Sequence, residues 1–159
     1  MNKGSLIQII LNELSKKLSI ATQAALAAHD EATHEDAKAE NKYDTRGLEA
    51  SYLAGAQSER AVQLQSAVAY FENLALKPLE AKEIIAATAL VELELEGKVA
   101  WYFLSSQEGG LEVECEGEKV FVLSPQSPLG SALMGKSEGD DVAVKTPTGV
   151  REYEILSVM

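Results

Sequence analysis

Two periodic patterns of apolar positions divide the chain. Ile7, Leu11, Leu14, Leu18, Ala21, Ala25 and Ala28 recur at alternating intervals of four and three. That spacing puts all seven on one stripe of a helix with coiled-coil period. A second register runs through Ala50, Ala54, Gln57, Ala61, Leu64, Val68, Phe71 and Ala75. Between them lies a polar, acidic segment, residues 29–47, ending in Thr45-Arg46-Gly47. Two helices joined this way pair most simply as an antiparallel hairpin. Side-chain size agrees, because the first stripe has its large residues early and its alanines late, and the second has the reverse. Each helix, with a rise of 1.5 Å per residue, would be about 40 Å long. Heptad spacing alone is equally compatible with a dimerisation arm or with two helices of a compact bundle.

After Lys77-Pro78 the period changes. Proline and its preceding residue both disfavour continuing a helix, so a boundary falls there. Val91, Leu93 and Leu95 alternate with Glu92, Glu94 and Glu96, the mark of a strand with one apolar and one acidic face. Gly97-Lys98 is a candidate turn, Val99 to Ser105 a second strand, and Gly109-Gly110 a second turn. Leu111 to Glu116 and Val120 to Leu123 follow, so the pattern predicts a four-strand meander. Asp141 to Lys145 and Glu152 to Val158 form a last hairpin across Pro147-Thr148-Gly149. Between them, Ser127 before Pro128 is a helix start, with Ser127 as N-cap and proline at the first helical position. Gly135 suits the position just past the helix end. The expected fold is α+β: residues 1–76 form an antiparallel helical hairpin with an acidic tip at about 30–46, and residues 79–159 form a small antiparallel sheet domain with one short helix.

Charge narrows the function classes. The 159 residues carry 25 acids against 14 bases, a net charge of −11. The excess is uneven, with ten acids and eight bases through Pro78 but fifteen and six after it. A duplex-DNA reader needs a basic stripe, so sequence-specific DNA binding is not expected. The single Cys115 excludes a disulfide framework, and two histidines make a closed zinc site a poor reading. Cys115 alternates with apolar residues on its strand and reads as buried and inert. No apolar run approaches the roughly 20 residues needed to span a bilayer, no signal peptide opens the chain, and the expected compartment is the cytoplasm. The sheet glutamates read as a solvated face that discourages edge pairing.

From Ser127 to Val158 the chain carries Ser127-Pro128-Leu129-Gly130, then Leu133-x-Gly135-Lys136, Gly139-Asp140, Thr146-Pro147-x-x-Gly149 and Arg151-Glu152-Tyr153-Glu154-Ile155. In that order and spacing these elements resemble the C-terminal domain of the bacterial Gre transcript-cleavage factors. The resemblance implies a helical hairpin followed by an FKBP-like domain. It also implies a transcription elongation factor that docks on RNA polymerase at the rim of its secondary channel. The segment holding Ser127, Pro128, Leu129, Gly130, Gly135 and Lys136 would lie near the docking surface. The hairpin would reach down the channel, where tip carboxylates help hold a second Mg²⁺ shared with the polymerase and orient a water against backtracked RNA at its 3′ end. Such a factor binds no cofactor alone, works as a monomer and is not a stand-alone enzyme.

The family pattern at the tip is an aspartate three residues before a Glu-Asn pair. Here Glu40-Asn41 matches the pair, whereas the position three before Glu40 is Ala37 and Asp36 stands one further back. On a helical turn Asp36 and Glu40 would share a face. The implied catalytic pair is Glu40 with Asp36, with Asp44 as a third candidate metal ligand and Asn41 as a partner contact. Other readings remain beside this one: a channel-binding regulator that does not stimulate cleavage, an FKBP-like prolyl isomerase, and a structural coiled-coil protein. His29 and His34, five apart, lack the i, i+4 spacing of a helical metal pair.

Overall fold

Asn2 opens the first helix. Its side-chain Oδ1 accepts the Ser5 N–H at 3.1 Å and its carbonyl accepts the Leu6 N–H at 3.0 Å, which satisfies donors the helix start leaves free. Helix α1 spans Lys3–Thr33 and α2 spans Arg46–Glu72. This computed structural model describes residues 1–34, 45–76 and 84–159, with the backbone alone at Arg46. The chain divides into two units, Ile10–Asn73 and the combination of Met1–Ile9 with Leu74–Met159. The first residues of α1 thus group with the sheet. There Asn2 N–H donates to the Glu116 carboxylate at 3.1 Å, and the terminal amine lies 3.9 Å from the same group.

In the helical unit the inward stripe is the one the heptads mark. Leu14, Ala21, Ala28, Ala54, Leu64 and Phe71 are buried, and Leu11, Leu18, Ala25, Ala50, Gln57, Ala61 and Val68 are half-buried. Ala75 is exposed because α2 has already ended at Glu72. Ile10 and Ala67 are buried too, so the apolar face is wider than a strict two-position seam. The helices are antiparallel: Thr22, Ala25, Leu26 and His29 of α1 share a groove with Ala54, Gly55, Ser58 and Ala61 of α2. Small residues on both sides leave that end open.

The other unit is a six-stranded sheet with one short helix. Its strands are β1 (Leu90–Leu95), β2 (Lys98–Leu104), β3 (Glu112–Cys115), β4 (Glu118–Leu123), β5 (Asp141–Thr146) and β6 (Gly149–Val158), and α3 covers Pro128–Leu133. The spatial order is β3-β4-β2-β1-β6-β5. The expected four-strand meander is corrected in one place. β2 and β4 pair in parallel, Trp101 beside Val120 and Leu104 beside Leu123, and β3 occupies the outer edge against β4. Alternation assigns each residue to a face but does not choose a strand's neighbour. The link between β2 and β3 is a folded loop in place of a two-residue turn, held by the buried Ser105, whose hydroxyl bonds the backbone of Gln107. Loop and β3 together form the long crossover a parallel pair requires.

Two tight hairpins share one chemistry. Leu95 pairs with Lys98 and Cys115 with Glu118, so the turns are Glu96-Gly97 and Glu116-Gly117, the first one residue earlier than the Gly97-Lys98 expected. Both central residues of each have positive φ, 52° and 77° in one and 56° and 83° in the other, the requirement of a type I′ turn.

The core on one face joins Val91, Leu93, Leu104, Val142, Val144, Tyr153 and Ile155 of the sheet to Leu133 of α3 and to Ile85 and Ala89. The opposite face also buries Leu90, Phe103, Val113, Cys115, Val120 and Val122. The glutamates therefore do not mark a wholly wet face. Glu112 and Glu114 are exposed and Glu92 and Glu94 half-buried. No helix among the described residues is long and apolar enough to cross a membrane.

Candidate functional site

The sequence singles out the junction between α1 and α2 and the segment Ser127–Lys136. At the junction, α1 runs on through Thr33 and presents His29, Asp30 and Glu31, all exposed. The Thr33 hydroxyl donates to the carbonyl of His29 at 2.9 Å. On the far side, the Thr45 hydroxyl donates to the Glu49 carboxylate at 2.7 Å and the Thr45 carbonyl accepts the Glu49 N–H at 2.9 Å. That holds a negative charge in the first turn of α2, where the helix dipole favours it. Asp36, Glu40, Asn41 and Asp44 lie outside the described residues, as do Glu35 and Ala37. Among the described residues no three of His, Cys, Asp and Glu converge on a metal-sized position.

The second segment is described in full. Ser127, in extended conformation, is the N-cap of α3. Its Oγ accepts the Gly130 N–H at 3.1 Å and donates to the Ser124 carbonyl at 2.7 Å. Pro128 takes the first helical position, where its missing N–H costs nothing. Gly130 is buried, and a Cβ there would run into the Ser124 carbonyl. The hydroxyl of residue 127 and the bare Cα of residue 130 thus fix one close approach between the end of β4 and the start of α3. Gly135 has φ 79° and its N–H donates to the Ile85 carbonyl at 2.9 Å, while Ile85 N–H donates to the Lys136 carbonyl at 2.7 Å. Pro128 and Lys136 are exposed and Leu129 half-buried against the core. Replacing Ser127 with alanine is expected to cost about 1 kcal/mol, the usual value of a lost N-cap. Denaturant unfolding followed by Trp101 fluorescence measures it, since Trp101 is the chain's one tryptophan and lies in β2.

Two features here were not read from the sequence. Backbone bonds join Ile85 to residues 135–136, and the flanking Ile84 and Met134 are exposed apolar side chains, at 61 % and 40 %. The local pattern gives no sign that these distant positions meet. Lys98 and Arg151 also come together, at the hairpin end of the sheet. Elsewhere, burial pushes the Cys115 thiol up, with Glu116 adding to the shift and the terminal amine opposing it. The shift and its burial both favour the protonated thiol over the reactive thiolate at Cys115.

Residues 87–159 match the family model described as transcription elongation factor GreA/GreB, C-terminal. The transcription elongation factor GreA of Xanthomonas campestris pv. campestris is 31 % identical over 99 % of this chain and 94 % of its own length. That of Neisseria meningitidis serogroup A is 31 % identical over 95 % of this chain and 91 % of its own. The chain belongs to the GreA/GreB family of transcription elongation factors. The likeness to these Gre-family relatives spans both units, and the motif that carries Ser127 and Gly130 falls inside the matched C-terminal region. Among solved structures, the GreA factor homolog 1 (Gfh1) protein of Thermus thermophilus aligns over 94 % of each chain at 21 % identity with a TM-score of 0.38, too low to bear on function.

Proposed function

We propose that this Gre-family chain binds RNA polymerase at its secondary channel and promotes hydrolysis of backtracked RNA by the polymerase's own active centre. The observation that carries the reading is the near-full-length match to GreA factors, which covers the helical unit as well as the sheet. The sheet unit is the grip. Ser127–Lys136 is built on a glycine-dependent close approach and offers exposed Pro128 and Met134, apolar side chains suited to a protein partner. The helical unit is the delivery arm. Its antiparallel helices put Thr33, the last residue of α1, and Thr45, just before α2, at the end remote from Phe71. Ile20 and Tyr52 on it are 68 % and 71 % exposed, which suits burial against a channel wall.

In this reading Glu40 and Asp36 act only inside the polymerase. Their carboxylate oxygens, with Asp44 as a third, are the hard donors that Mg²⁺ accepts while keeping several waters. When bound there, Mg²⁺ supplies charge stabilisation at the reacting phosphate. Glu40 also orients the water, and Asn41 positions the tip against the partner. The protein then acts in the cytoplasm as a monomeric accessory to an enzyme, with no cofactor of its own. The displacement of Asp36 by one residue, with Ala37 in its place, favours a second reading, a channel-binding regulator that does not stimulate cleavage.

The test adds the full chain to stalled, backtracked polymerase with Mg²⁺. The expected result is a shortened transcript that regains extension. Binding without shortening favours the regulator, and absence of binding removes both readings.

A further inference from the structure

An open pocket of about 440 Å³ lies at the end of the sheet where the β1–β2 and β5–β6 turns meet. Leu95, Ala100 and the half-buried Tyr102 form its wall, and Lys98 and Arg151 both line it. They share the face of the core, since Lys98 pairs with Leu95 and Arg151 with the buried Val144. The Arg151 charge reaches the Tyr102 hydroxyl and opposes the rise that burial and Tyr153 impose on it. Only six basic residues follow Pro78, and two of them converge here. Lys119 is already paired with Glu112 at 2.6 Å. The side chains of Lys98 and Arg151 form no ion pair or hydrogen bond among the described residues, although Glu96 is in the same lining.

Beside them a stretch of backbone lacks a strand neighbour. β6 pairs with β1 only through Glu154–Val158. Its first residues, Gly149–Glu152, lie past that ladder and pair with β5 on one side alone. An extended segment can hydrogen-bond such an edge, and a guanidinium beside an ammonium is the arrangement that takes a carboxylate by charge-assisted bonds.

We propose that this pocket binds an acidic, extended peptide segment of a protein partner. The segment places one carboxylate on Arg151 and Lys98, its backbone along Gly149–Glu152, and a neighbouring apolar side chain against Leu95 and Ala100. Charge selects peptide over nucleic acid. Two cations match one carboxylate, whereas a phosphate chain would meet fifteen acids against six bases in residues 79–159.

The test titrates the ¹⁵N-labelled full chain with the blocked peptide Ac-Val-Leu-Glu-Leu-Val-NH₂. Its Glu→Gln counterpart, sodium acetate and inorganic phosphate serve as parallel probes. Saturating shifts confined to residues 95–102 and 146–152 are expected, with the Gln peptide at least about tenfold weaker. R151Q should weaken the Glu peptide by a similar factor, and K98Q, a second surface variant, should weaken it in the same direction. Shifts elsewhere, equal binding of the two peptides, or unchanged binding by both variants would overturn the proposal. So would equal occupancy by acetate or phosphate at the same concentration, because the pocket would then hold a small anion.

Discussion

Replacing Gly130 with alanine is expected to lower the stability of the sheet unit by about 3 kcal/mol, the upper range for overpacking a rigid site. The added methyl would meet the Ser124 carbonyl, a backbone atom, so rotating a side chain gives no relief. That carbonyl also accepts the Ser127 hydroxyl and the Ser127 N–H, at 2.7 and 3.0 Å. Any movement that admits the methyl therefore loosens the N-cap of α3 as well. For a unit of this size the loss corresponds to a fall of very roughly 12–24 °C in Tm. Trp101 fluorescence reads it, with circular dichroism at 222 nm following the helices. A fall of less than about 3 °C would show that the approach of β4 to α3 is not a fixed element of the fold.

The second large effect concerns the tip. On the proposed function, Glu40→Ala lowers transcript cleavage at least about a hundredfold, the scale of losing one preorganised charge-stabilising group at a reacting centre. On the same proposal binding to polymerase stays unchanged, because the grip is assigned to the sheet unit. The two quantities are measured on the same stalled complexes, cleavage as a rate and binding by competition with the unaltered chain. Cleavage retained in full by the variant would remove Glu40 from the mechanism. Ser127→Ala should behave oppositely, weakening the grip through the loosened start of α3 while leaving cleavage by bound chain unchanged.

Much of this architecture is legible in the residues themselves. The four-three spacing marks the inward positions of both helices, because burial on a helix is set by period. Ser127-Pro128 and Gly135 mark the ends of α3 because capping is local chemistry. The strand order is not legible in this way. Whether β4 lies beside β2 or beyond β3 depends on packing across the unit, which alternation does not encode. The same limit hides the meeting of Lys98 with Arg151 and the bonds between Ile85 and residues 135–136, since each joins distant positions through tertiary structure. At the tip, residue types are legible as hard oxygen donors. The role proposed for Glu40 rests on the match of Glu40-Asn41 to the family pattern, and the shifted Asp36 is where that pattern departs.

On the proposed function, the junction between α1 and α2 is carried to the catalytic centre of a polymerase. A photoreactive amino acid at position 40 of the full chain, activated in a backtracked elongation complex, tests it most directly. The expected result is cross-links to the RNA 3′ end and to the polymerase active centre, lost when unmodified chain is added in excess. Cross-links confined to the outer surface of the polymerase, or none above the level without chain, would contradict it.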